Sequence, residues 1–223
     1  MPWPLQTRIA SLFLASVIAI LATVPPVAAG SPVWAASAAN AADTRAWQVF
    51  ASQGTQPGQF TGPDGTAVDA QGNVYVVDQD TYSVQKLSST GQPLAQWGSQ
   101  GDGPGQFTHP VGVALDSQGN VYVLDSIAEH VQKFSPAGQP LAQLGERSPL
   151  GPEVIGGFTF PTGIAVDGQD KIYVTDVGNP VHKLSSTGAP LALVHVVYTG
   201  EPNFPGGVAV DQQGNLYTVE GGA

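Results

Sequence analysis

The chain has no cysteine and one methionine in 223 residues. Disulfides, thiolate metal sites, cysteine nucleophiles and a lipidated N-terminal cysteine are thereby excluded. Charge is scarce too: charged residues are 11% of the chain, with 7 Lys/Arg against 17 Asp/Glu. A surface with that balance repels phosphate backbones, so no nucleic-acid partner is expected. The chain also lacks a Gly-x-Ser-x-Gly elbow, a P-loop, a dinucleotide fingerprint and an Asp-x-Asp-x-Asp-Gly loop. No stretch sustains a 3.6-residue apolar period, so helices are not expected. Disorder is not expected either, because 42% of the residues are apolar.

What is plentiful is glycine, at 28, and proline, at 19. They follow no Gly-X-Y period, which excludes collagen and leaves many turns. The N-terminus reads as an export signal. Arg8 precedes an uncharged run, Ile9 to Val24, closed by Pro25-Pro26. That run is shorter than the roughly 20 residues of a spanning helix. Small residues follow it, as in a cleaved secretory signal. The reading is a signal over residues 1–29 with cleavage between 29 and 42, then an Ala/Ser/Pro-rich linker over 30–46. The expected location is secreted, extracellular or in the cell envelope, with membrane attachment only if the segment stays uncleaved. The part after residue 42 carries 6 Lys/Arg against 17 Asp/Glu, net −11.

A repeat organises the rest. Pro63-Asp-Gly-Thr-Ala-Val-Asp69 recurs as Pro110-Val-Gly-Val-Ala-Leu-Asp116, Pro161-Thr-Gly-Ile-Ala-Val-Asp167 and Pro205-Gly-Gly-Val-Ala-Val-Asp211. Each copy is followed by a β-rich run: Val74–Asp78, Val121–Asp125, Ile172–Asp176 and Leu216–Glu220. Three copies continue with Val84-Gln-Lys-Leu87, Val131-Gln-Lys-Phe134 and Val181-His-Lys-Leu184, and each ends in a fourth short segment. The turns carry their own chemistry. Asp69-Ala-Gln-Gly72 and Asp116-Ser-Gln-Gly119 place a capping carboxylate first and glycine where φ must be positive. Four short strands in about 40–50 residues are one propeller blade.

Gly103-Pro-Gly-Gln-Phe107, Pro110-x-Gly-x-Ala-x-Asp116 and Gly119-Asn-Val-Tyr-Val123 together resemble the NHL-repeat pattern. The resemblance runs over residues 47–220 and implies an all-β, six-bladed propeller architecture in the usual member. The chain departs from the pattern where an arginine is usual: Ser83 and His130 stand there. Residues 47–223 are assigned three complete blades (about 51–97, 98–145, 146–195) and a partial one (196–223). Trp47–Phe50 is taken as the fourth strand of a preceding blade. Such a count predicts an open arc or a truncated six-bladed ring. Exposed blade faces would then promote edge-mediated self-association.

In a propeller the loop between strands two and three and the loop leading into strand one share a rim. The predicted ligand rim is Asp78, Gln79, Asp80 and Tyr82, then His109, Asp125, Glu129 and His130, then Asp176 and Asn179. The recurrent Asp78, Asp125 and Asp176 suit either turn capping or a calcium site. Turn capping is preferred, so no metal or other cofactor is assigned. A zinc or acid–base group at His109, Glu129 and His130 lacks partners on other blades. Lys86, Lys133 and Lys183 are read as solvated outer positions. The function expected is a noncatalytic scaffold whose rim takes a protein, peptide or glycan. The alternatives are an extracellular metal-dependent lyase or lactonase-like hydrolase, and a nonfunctional propeller fragment. Enzyme activity is therefore left open, with none preferred. The slots after the strand-one prolines hold Asp64, Val111, Thr162 and Gly206. Amidating lyases of related fold carry zinc-binding histidine there, so that activity is not implied.

Overall fold

A computed structural model describes residues 20–21, 47–48, 51–148, 154–177, 180–195, 204–211 and 213–221. The chain divides into two units, Met1–Ala51 and Ser52–Ala223. In the first, Ile20–Leu21 pairs antiparallel with Trp47–Gln48. The segment read as the end of an earlier blade therefore has its ladder partner in the apolar N-terminal run. The signal cleavage sites and the linker lie outside the described residues.

The second unit is all-β among its described residues. Its first blade is an antiparallel sheet of Pro63–Val68, Val74–Asp78, Ser83–Leu87 and Pro93–Trp97, hydrogen-bonded in that order. The second is Pro110–Leu115, Val121–Asp125, His130–Phe134 and Pro140–Leu144. The third is Pro161–Val166, Ile172–Asp176, Pro180–Leu184 and Pro190–His195. A fourth pairs Phe204–Val210 with Leu216–Gly221. The sequence reading of three complete blades and a partial one holds.

The second strand of each full blade is buried along its whole length. It lies between strands one and three. In blade two Val121 and Val123 face blade one while Tyr122 and Leu124 face blade three, so alternation disappears and both faces are apolar. The core lies between blades. One cluster joins Tyr122, Leu124 and Val131 of blade two to Ile164, Ile172, Val174 and Leu184 of blade three. Another joins Tyr75, Val77 and Val84 to Val113, Val121, Val123 and Phe134. In blade four the equivalent side chains are open: Tyr217 is 57% exposed, against 1% for Tyr75 and 0% for Tyr122.

The Pro-x-Gly of strand one has a packing reason. A Cβ on Gly65 would lie 2.7 Å from the Gly112 Cα and the Val111 carbonyl. On Gly163 it would meet the Gly207 Cα at 2.8 Å. Neighbouring inner strands approach backbone to backbone, which only glycine permits. Register also shifts beside this motif, between Pro63 and Thr66, Pro161 and Gly163, and Pro205 and Gly207.

The loops leading into the blades carry short parallel pairings that the sequence reading did not anticipate. Ser52–Gln53 pairs with Gln59–Phe60, Glu146–Arg147 pairs with Gly157–Phe158, and Gln100 bridges Phe107. Phe60, Phe107 and Phe158 are buried at these points. Phe107 packs against Gly98 and Phe158 against Gly145, each just beyond the fourth strand of the preceding blade.

Candidate functional site

The rim is built by the acid that ends each second strand. Asp78, Asp125 and Asp176 are fully buried. Asp125 accepts the amides of Thr108 at 2.6 Å, His109 at 3.0 Å and Ala128 at 3.0 Å, and the Thr108 hydroxyl at 2.7 Å. Asp78 accepts the amides of Thr61, Gly62, Asp80 and Thr81 and the Thr61 hydroxyl. Asp176 accepts the amides of Thr159, Phe160 and Val177. Each carboxylate ties the lead-in loop of its blade to the turn after its own second strand. Its lone pairs are consumed within the chain. These three residues are corrected from rim contacts to clamps behind the rim, because a ligand would have to displace several backbone amides to reach them.

The other predicted rim residues divide. Gln79 is partly buried, and its amide donates to the Gly62 carbonyl at 2.9 Å. Asp80 is exposed. His109 is partly buried, with its amide on Asp125 and its carbonyl accepting from the Ser126 amide at 3.0 Å. Tyr82 and Glu129 hold left-handed backbone, at φ 53° and 56°, just before the third strand. That conformation is uncommon for such side chains. Glu129 pairs with Arg147 at 3.2 Å, which joins blade two's rim turn to blade three's lead-in loop. His130 is 5% exposed, and its Nδ1 lies 3.1 Å from the Ala128 carbonyl. Burial pushes its pKa down, against the pull of Asp125 and the bond to Ala128. It is corrected from a rim contact to a buried support. Asn179 lies outside the described residues.

Several residues on or under this face were missed. Ile127 and Phe160 are 61% and 49% exposed on the rim loops of blades two and three. Asp64 keeps contact with water, yet its crowded position raises its carboxyl pKa against the attraction of His109 on the next blade. Gln85 and Gln132, on the third strands, brace the lead-in loops. Gln132 accepts the Gly105 amide at 2.8 Å and donates to the Gln106 carbonyl at 2.5 Å. Gln85 does the same with Gly58 and Gln59, both at 2.7 Å. Their recurrence at the second position of Val-Gln-Lys was the available signal. Among the described residues no three His, Cys, Asp or Glu side chains form a group that could hold a metal ion.

The opposite end of each blade carries a second recurrent group. The hydroxyls of Tyr122, Tyr173 and Tyr217 each donate to Asp116, Asp167 and Asp211 at 3.0 Å. Asn120 and Asn215 donate to the same carboxylates at 2.8 Å. Lys86, Lys133 and Lys183 lie over Tyr75, Tyr122 and Tyr173, 4.8 to 5.0 Å from the ring centres. Lys86 and Lys133 also pair with Asp69 and Asp116 at 3.4 Å, and only 18% and 17% of their side chains remain exposed. The lysines are therefore packed partners of the tyrosine rings rather than solvated positions. Burial opposes ionisation of Asp69, Asp116 and Asp167, but the converging hydrogen bonds prevail and hold each pKa below the usual carboxylate value.

The NHL repeat matches residues 107–134 and 158–182. No curated protein matches. Solved structures give the fold. A streptogramin B lyase aligns with a TM-score of 0.55 at 16% identity, over 74% of this chain and 50% of that one. A catalytically inactive virginiamycin B lyase from Staphylococcus aureus with quinupristin aligns with a TM-score of 0.53 at 12% identity, over 71% and 48%. A nidogen/laminin complex gives 0.56 at 22% identity, over 71% and 56%. The chain spans about half the length of the structures it matches.

Proposed function

Since this chain is an NHL-repeat protein of β-propeller fold, we propose that it is a noncatalytic binding scaffold, secreted or held in the cell envelope. Its ligand is a protein or peptide, with a glycan as the other class. The observation that carries this reading is the consumption of Asp78, Asp125 and Asp176 inside the fold. They fix the rim loops rather than act on a substrate. What the fixed loops present outward is Ile127 and Phe160, with Asp80 and the Arg147 side chain as exposed charges. Rigid loops with exposed apolar side chains suit protein recognition, because little ordering entropy remains to be lost on binding. The neighbour found in a complex with laminin supports this reading by analogy of fold alone.

The test is an array of immobilised peptides and glycans probed with residues 43–223, wild type and Ile127→Asp/Phe160→Asp. The scaffold reading expects ligands that the double variant loses while its circular dichroism is unchanged. Ligands bound equally by both proteins would sink it.

The lyase-like alternative rests on the attraction of His109, on the next blade, for the Asp64 carboxylate, which opposes the rise that burial gives its pKa. Streptogramin turnover that disappears in His109→Ala would move the assignment to this reading.

A further inference from the structure

Blade three departs from its neighbours at one buried position. Where Gln85 and Gln132 brace the lead-in loops of blades one and two, blade three has His182, which is 0% exposed. Its Nδ1 accepts the Gly156 amide at 3.3 Å. The neutral ring therefore carries its proton on Nε2. That nitrogen makes no hydrogen bond and lies 3.6 Å from Asp176 Oδ2. A second change accompanies the first. In blades one and two the lead-in threonine hydroxyl donates to the clamp carboxylate, at 3.2 Å from Thr61 and 2.7 Å from Thr108. In blade three the Thr159 hydroxyl is buried without a partner. Asp176 thus lacks a donor that its counterparts have, and an imidazole faces it instead.

We propose that His182 is a pH-sensitive latch on the loop leading into blade three. At neutral pH the ring holds that loop through Gly156. A proton taken from water adds to Nδ1 and turns the acceptor into a donor. The Gly156 amide then faces an N–H and its bond is lost. The new positive charge is met by Asp176 through the Nε2 proton, so the ring exchanges a loop contact for a contact to the clamp. No other covalent change is involved. Across the register, strand two places Val174 and strand four places Leu193 opposite His182. The lead-in loop contributes the Phe158 ring, edge-on at 5.2 Å, and the Thr159 hydroxyl is held near the same carboxylate by its own amide's bond to Asp176. On strand two Asp176 is the charged partner, and His195 of strand four lies opposite Pro180, two residues away along strand three. A glutamine cannot make this exchange, because its amide does not titrate in this range.

Release of Gly156 has a defined neighbourhood. Gly156 lines a cleft of about 440 Å³ formed by blade three's lead-in loop and the turn before its fourth strand, together with Arg147, Val154, Ile155 and Pro190. The latch therefore sets whether that wall is held at neutral pH and freed in acid.

Amide hydrogen exchange, read by NMR on the folded chain between pH 8 and pH 5, provides the test, and the molecule carries its own control. After correction for intrinsic chemistry, exchange at Gly156 is expected to rise about tenfold in acid, the equivalent of one hydrogen bond. Exchange at Gly105, held by Gln132, is expected to stay flat. His182→Gln should flatten the Gly156 profile. Gln132→His should create a pH dependence at Gly105, which keeps the test independent of whether the first variant folds. Equal profiles at Gly156 and Gly105 in the wild type would overturn the proposal.

Discussion

The hydroxyl of Tyr122 donates to Asp116 at 3.0 Å, from a ring that also lies under the ammonium of Lys133. Three residues of one blade, from the turn after strand one and from strands two and three, close the end opposite the rim as one unit. The carboxylate receives the tyrosine, the asparagine amide and two backbone amides. It is consequently more acidic than a free aspartate, although its burial opposes that.

This has a signed pH consequence. Against the opposing effect of burial, hydrogen bonds hold the Asp116, Asp69 and Asp167 carboxyls below the usual carboxylate value. Their contribution is fully present above the unfolded value and is lost as pH falls through the folded one. Stability should therefore fall below about pH 4. In Asp116→Asn the acid limb should become shallower, and thermal unfolding from pH 2 to pH 6 measures it.

The buried clamps are expected to be the most sensitive polar positions. Asp125→Ala orphans three amides and a hydroxyl and should cost about 3–5 kcal/mol. The exposed Asp80→Ala should stay within about 0.5 kcal/mol. Urea unfolding of the two variants compares them directly; similar costs would mean that the clamp does not hold the rim.

Glycines of the same repeat should respond oppositely. Gly65→Ala drives a methyl into the backbone of Gly112 and should cost about 1–3 kcal/mol or more. Gly168→Ala meets nothing within 4 Å, and its φ is not in the left-handed region. It should be neutral or stabilising by up to about 1 kcal/mol through the unfolded chain. Differential scanning calorimetry settles both signs.

The Arg147–Glu129 pair is a surface link, since the arginine side chain is 82% exposed. Arg147→Ala should cost less than about 1 kcal/mol, and less still at 1 M salt. A larger loss in calorimetry would assign the pair a structural role in joining blades two and three.

Much of this could be read from the chain itself. The strand-one motif, the buried runs such as Val121–Leu124 and the Asp–Gly turns are local, and each repeats, so four copies identified the blades. The site was less legible. Asp125 looked like a rim ligand because its position after a strand is visible, whereas its amide donors lie 16 and 17 residues earlier. Lys133 looked solvated because its partners, Tyr122 and Asp116, sit on strand two and in the turn after strand one. Ile127 and Phe160 had no periodic signature, and their exposure follows only from how the loops are held.

The sequence by itself determined the all-β architecture, the repeating four-stranded blade and the turn geometry. Those rest on side-chain period and on backbone angles that glycine and aspartate set locally. The tertiary structure alone decided which polar groups are spent inside the fold and which face outward. A carboxylate becomes a clamp or a ligand group according to the amides that reach it, and those come from loops distant in the chain. The same physics separates His182 from Gln85 and Gln132. Their shared position was readable, but only the arrangement around the ring, with Gly156 on one nitrogen and Asp176 near the other, gives the histidine something to switch.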